Sequence, residues 1–192
     1  MSIGIKSTDG DIIYINMISL CNVSSVINDM INLDNMEDGI IDENKPSLTK
    51  VSLVAFKDLC EMTHHSSSSQ EDLNFNLSKT IKNAIPAIEK WDCPGLLRLW
   101  FSDINNNIIS DSYFKKPCHY SLEDIIKYEE LVMDDKIMWN DTVFKFLVRK
   151  LRQNKAMDLM IKFKPYTLCK LIFYMNHRVE LDVNRLKDSI NS

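Results

Sequence analysis

Asp9-Gly10 lies between two short runs that alternate apolar and polar side chains, one through Ile3 and Ile5 and one from Ile12 to Ile15. A tight turn between paired strands needs positive φ, which glycine adopts without a Cβ penalty. The pattern predicts an antiparallel hairpin with Ile3, Ile5, Ile13 and Ile15 on one face and Ile12 and Tyr14 on the other. A two-stranded hairpin is marginal in water, so its apolar face must lean on elements further along the chain.

The rest of the chain has the material for this. Its 192 residues are 45% hydrophobic and 26% charged, with 4 Gly and 5 Pro, which suits one folded domain, or one domain with a large insertion. The net charge of -4 argues against a general nucleic-acid binder. No apolar run approaches the ~18 residues of a membrane span, and no secretory signal opens the chain, so the expected location is cytoplasmic or nuclear. The 5 cysteines (Cys21, Cys60, Cys93, Cys118, Cys169) are odd in number and far apart, without a C-x-x-C. They read as reduced, mostly buried small hydrophobes rather than as a disulfide framework.

Beyond the hairpin, Ser19 to Asn32 reads as one or two short helical turns with Val23, Val26, Ile27 and Met30 on one face, capped by Ser24 or Asn22. Leu33 to Asn44 is acidic, around a short strand at Gly39-Ile40-Ile41; its spacing does not match a Ca²⁺ loop. Val51 to His65, opened by Thr49 or Ser52, places Ala55, Phe56, Leu59, Cys60 and Met62 on the apolar side of a helix.

Three of these stretches, in this order, resemble one family. Ser7–Ile15 (STDGDIIYI) is similar to the opening hairpin of the S-phase-kinase-associated adaptors and elongin C, small proteins of the BTB/POZ fold. Met36–Leu48 (MEDGIIDENKPSL) resembles that family's acidic loop and the Pro/Leu strand after it. Phe56–His65 (FKDLCEMTHH) resembles its helix closing in Thr-His-His, and the polar Ser66–Asp72 stands where the family has a loop of variable length. The resemblance covers roughly the first third of the chain.

Leu73 to Met138 has no counterpart in that family. Leu73, Phe75 and Leu77 alternate as a short strand would. Ser78 is placed to cap a helix to Trp91 with Ile81, Ile85 and Ile88 inward, kinked or split by Pro86. Pro94-Gly95 marks a turn or helix start before the cluster Leu96, Leu97, Trp100 and Phe101. Asp103 to Ser112, with Asn105-Asn106-Asn107, reads as a loop. Ser121-Leu122-Glu123-Asp124 is a capping-box-like start for a helix through Met133.

The last third is helical by pattern. Phe144, Leu147, Val148 and Leu151 share one face of a helix opened by Asp141 or Thr142. Ala156, Leu159, Met160 and Phe163 repeat the spacing until Pro165 ends the run. Leu168, Leu171, Ile172 and Met175 mark a third helix, and Val179, Val183, Leu186 and Ile190 a fourth. Thr142–Met160 keeps the apolar rhythm of the family's helical pair, but Lys150-Leu151-Arg152 replaces its small-residue and Asn-Tyr step on the cullin-facing side. Glu180–Leu186 stands for the family's first tail helix, and the Trp-bearing last tail segment is missing.

The expected fold class is therefore α+β and BTB/POZ-like. A small mixed sheet with an N-terminal hairpin packs on helices, and the C-terminal half is mostly helical. Residues 1–65 would be the first half of the core, 66–138 a linker and insertion, and 139–192 the helical part that closes the core and forms a tail.

Chemistry-bearing motifs are sparse. Cys60 and His64 at i, i+4 share a helix face, but two ligands on one turn are not a metal site, and imidazoles at a helix C-terminus suit the dipole. Cys118-His119 is mere adjacency, since a nucleophile's base comes from elsewhere in the fold. No phosphate-cradling glycine motif occurs. No catalytic residue, cofactor or metal is expected, and the chain is read as a non-enzyme. Arg149, Lys150, Arg152 and Lys155, continuing to Lys162 and Lys164, form a basic side that reads first as a solvated face and next as a site for an acidic partner; no aromatic platform supports nucleic acid.

The resemblance implies an adaptor that bridges a cullin scaffold and an F-box-type receptor in a ubiquitin ligase. The sheet-and-helix core, Ile3–His65 closed by Thr142–Phe163, would meet the cullin, with Lys150 and Arg152 on the contact side. The receptor would meet Leu168, Leu171, Ile172, Met175, Val183 and Leu186 by helix-in-groove packing. The alternative is a BTB-like self-association or decoy module, a homodimer without ligase activity.

Overall fold

The computed structural model describes residues 1–32, 39–41, 47–64, 76–114, 117–133 and 137–176. Over these the chain is mixed α+β, mostly helical with one three-stranded sheet. It divides into two units, Met1–Asp103 and Ile104–Ser192.

The first unit starts with the expected hairpin. β1 (Ser2–Lys6) and β2 (Ile12–Asn16) pair antiparallel with Ile3 opposite Ile15 and Ile5 opposite Ile13. Gly10 takes a φ of 84° in the turn. Ile3, Ile5 and Ile15 are buried, Ile13 is half-buried, and Ile12 and Tyr14 face outward. The short strand expected in the acidic stretch forms as β3 (Ile40–Ile41), parallel to β1, so the sheet order is β2-β1-β3. A Cβ on Gly4 would lie 2.8 Å from Ile12 Cγ2 and 3.2 Å from both Ile40 and Tyr14. The outer side chains thus close over a bare stretch of β1 backbone. The acidic residues around β3 lie outside the described residues.

Two short helices follow, α1 (Met17–Val23) and α2 (Ser25–Asn32). Asn16 caps α1 by accepting from Ile18 N at 2.9 Å. Ser24 is extended and breaks the helix, because its hydroxyl accepts from Ile27 N (3.2 Å) to start α2 and donates to Trp91 O (2.5 Å). Val23 and Ile27 are buried, whereas Val26 is exposed and does not share their inward face.

α3 (Lys50–His64) starts at Thr49, whose hydroxyl accepts from Ser52 N at 3.2 Å. Asp9, from the hairpin turn, accepts from Lys50 N at 2.9 Å, so the turn itself helps seat the helix. Ala55, Phe56, Leu59 and Cys60 are buried, while Met62 is exposed. α3 packs against β2 and α4.

α4 (Leu77–Lys90) is capped by Asn76 rather than Ser78; Ser78 instead donates to Asp103 at 3.0 Å. Leu77 opens this helix instead of closing a strand, and Leu73 and Phe75 lie outside the described residues. Pro86 is accommodated inside α4, with Ile81, Ala84, Ala87 and Ile88 buried. Trp91 follows and packs on Phe56, ring centroids 5.0 Å apart.

α5 (Pro94–Phe114) corrects the expected loop at Asp103–Ser112. Leu96, Trp100, Ile104 and Ile108 recur at i, i+4 and are all fully buried. That stripe outweighs the weak helix propensity of the asparagine run, worth only tenths of a kcal/mol per residue. The division between the units falls within α5. Of the stretch 66–138, the part up to Asp103 thus belongs to the first unit and the part from Ile104 to the second.

In the second unit, α6 (Leu122–Leu131) has the expected capping box, Ser121 and Asp124 each accepting from the other's backbone N–H. α7 (Asp141–Gln153) is capped by Asn140, which accepts from Val143 N at 3.0 Å. Lys155 takes a φ of 51° and stops the helical run. Met157–Lys162 is consequently a 3-10 segment rather than a continuation of the stripe. Pro165 opens a further helix, α8 (165–176), instead of ending one; its fixed φ suits a first helical position. The apolar positions from Val179 onward lie outside the described residues.

Candidate partner-binding surface

α7 and α8 carry the described residues of the expected contact region. α7 buries Val143, Phe144, Phe146, Leu147, Val148 and Leu151 on one side, which turns its basic residues the other way. Arg149 pairs with Asp111 of α5. The Arg149 guanidinium and the Lys150 ammonium lie 5.5 Å and 5.4 Å from the Phe146 ring centroid. Arg152 is exposed and donates to Met175 O at 3.4 Å, so the fold brings these two expected contact residues together.

α8 is held from within. Leu171 and Thr167 are fully buried, and Tyr174 stacks on Phe144 with centroids 5.5 Å apart. Leu171 therefore anchors the helix and offers no surface to a partner. Leu168 and Met175 are half-buried. On the outward side Ile172 is 45% and Phe173 60% exposed. Ile161, from the 3-10 segment, is also exposed. Val183 and Leu186 lie outside the described residues.

The residue that sets the start of α8 is Glu129 of α6. It is fully buried. Its Oε1 accepts from the Trp139 indole and the Thr167 hydroxyl, both at 2.7 Å, and its Oε2 accepts from Lys164 N at 2.9 Å. A carboxylate here also meets the positive end of the α8 dipole. The Lys164 ammonium donates to Val132 O, just past the end of α6. Sequence reasoning missed this hub, although a signal was there. Leu122, Ile125, Ile126 and Glu129 follow i, i+3, i+4, i+7 spacing, so an acid sits on the apolar stripe of α6 and needs buried donors.

The remaining polar sites carry no evident chemistry. Cys60 and Cys93 are buried; desolvation pushes both thiols up, Cys93 to about 12, which makes them poor nucleophiles at neutral pH. His65 is outside the described residues. Among the described residues no group of three or more His, Cys, Asp or Glu side chains is placed to share a metal ion. A groove of about 330 Å³ lies beside α3 and α4, lined by Val51, Val54 and Ala55 with Lys50, Lys79 and Asp58. The Asp58 carboxyl is raised first by burial and then by Glu61. Among the described residues no helix is long and apolar enough to cross a membrane. No model of a known protein family matches the chain, and no curated protein matches it significantly.

Proposed function

We propose that the chain is a BTB/POZ-like adaptor that works by binding, without chemistry of its own, and bridges a cullin scaffold and an F-box-type receptor in the cytoplasm or nucleus. The observation that carries this reading is the outward apolar pair Ile172-Phe173 on α8, a helix whose inner face is already filled by Leu171, Thr167 and Tyr174. A helix anchored on one side and apolar on the other suits helix-in-groove recognition. The element order supports the resemblance: a hairpin, two short helices, a third strand parallel to the first, then the α3 helix. Receptor contacts are assigned to Ile172 and Phe173, flanked by Leu168 and Met175. Cullin contacts are assigned to Lys150 and Arg152, where the sequence departs from the family's small-residue step.

Affinity purification of the tagged chain from a eukaryotic lysate, followed by mass spectrometry, tests the reading. Wild type is expected to recover a cullin together with an F-box-type receptor. Ile172→Asp with Phe173→Asp is expected to lose the receptor and keep the cullin, and Lys150→Glu with Arg152→Glu the reverse. Absence of both partners from the wild-type sample overturns the adaptor role.

A further inference from the structure

We propose that the free edge of β2 pairs antiparallel with β2 of a second copy of this chain, across a two-fold axis at Ile13. The inference rests on the sheet alone and is independent of the adaptor reading. In the strand order β2-β1-β3, β2 has a neighbour on one side only among the described residues. Met17 N donates to Met1 O (3.1 Å) and Ser7 N to Asp11 O (2.8 Å), which makes the odd-numbered positions the hydrogen-bonded pairs of the hairpin. Alternation then turns the backbone N–H and C=O groups of Ile12 and Tyr14 away from β1, toward the open edge. Their side chains are 38% and 55% exposed.

This edge lacks three of the features that normally blunt one. Ile12–Asn16 contains no charge and no proline, and its register against β1 runs without a bulge. Ile12–Asn16 offers a charged peptide no counter-charge, whereas a second copy brings a matching apolar row. With the axis at Ile13, Ile12 of each copy stands opposite Tyr14 of the other, a β-branched–aromatic pair formed twice. Asp11, paired to Lys50 at 3.4 Å, falls opposite Ile15 of the other copy, so no like charges meet. The row continues from Tyr14 onto Gly4, whose missing side chain leaves the ring room. A five-residue edge buries far less than the roughly 800 Å² per partner of stable complexes, so the dimer is weak and forms at high protein concentration.

Sedimentation velocity of the full chain over a concentration series, with amide exchange measured at Ile12 and Tyr14, tests this. The expected result is a dimer fraction that grows with concentration while exchange at those two amides slows by about tenfold or more. Tyr14→Lys is expected to weaken association by about tenfold or more with unchanged helical circular dichroism, and Phe173→Lys to leave it unaffected. Should Tyr14→Lys unfold, Ile12→Lys makes the same test. A monomer at every concentration, a dimer indifferent to the edge lysine, or amides that ignore concentration each overturns the proposal.

Discussion

Glu129 shows how one buried side chain can organise its surroundings. Its carboxylate takes an indole N–H, a hydroxyl and a backbone N–H, so the cost of burying the acid is met by charge-assisted hydrogen bonds. Glu129→Leu, close in volume, leaves these donors facing a methyl group. The expected loss is about 3 kcal/mol, read as a lower urea midpoint. Trp139 emission should shift before global unfolding, because the indole loses its acceptor; an unshifted spectrum and midpoint would show that the hub does not hold α8. Gly4 illustrates a different constraint at the same scale. Nothing in its local pattern distinguishes it from any strand glycine, and only the placement of Ile12, Tyr14 and Ile40 shows why a side chain is excluded there.

At the scale of elements, what was legible in the sequence depended on whether local signals agreed. The hairpin, β3, α3 and the α6 capping box all stood where turn chemistry, caps and apolar spacing pointed to one answer. α5 and the 3-10 segment depart from the expected pattern where two signals conflict. At Asn105-Asn106-Asn107 weak propensity argued for a loop, and the buried Trp100, Ile104 and Ile108 overrode it. At Met157–Lys162 the apolar spacing argued for an α-helix, and the left-handed Lys155 cut it short. Asn106→Pro discriminates the two readings of α5. In a loop it would be nearly neutral; within the helix it should cost roughly 3 kcal/mol, with a clear loss of ellipticity at unchanged concentration. The contact residues on α8 were only partly legible, since periodicity identifies a helix with two apolar sides without saying which side is buried. Leu171 turned inward and Ile172 outward.

For the whole molecule, the buried titratable groups impose a dependence on alkaline pH. Burial raises Cys60, raises Cys93 from 9.0 to about 12, and raises Tyr128 from 10.0 to about 12. Above pH 9 the unfolded chain therefore releases protons that the folded chain keeps. The folded state binds more protons, so stability falls as pH rises. The contribution is fully present below pH 9 and is lost across the window from there to about 12. Urea midpoints should be flat from neutral pH to about 9 and then decline, and Cys93→Ala should soften the decline. A midpoint that stays level through about pH 10.5 would contradict this account of the thiols. The Glu129 hub has a further consequence, one for descent. Its acid and side-chain donors come from Glu129, Trp139 and Thr167, with the Lys164 backbone N–H as the third donor, and none of those three side chains can lose its polar group alone without stranding another. In related chains positions 129, 139 and 167 should change together or not at all, so their joint pattern would trace lineage where the rest of the sequence has drifted too far to align.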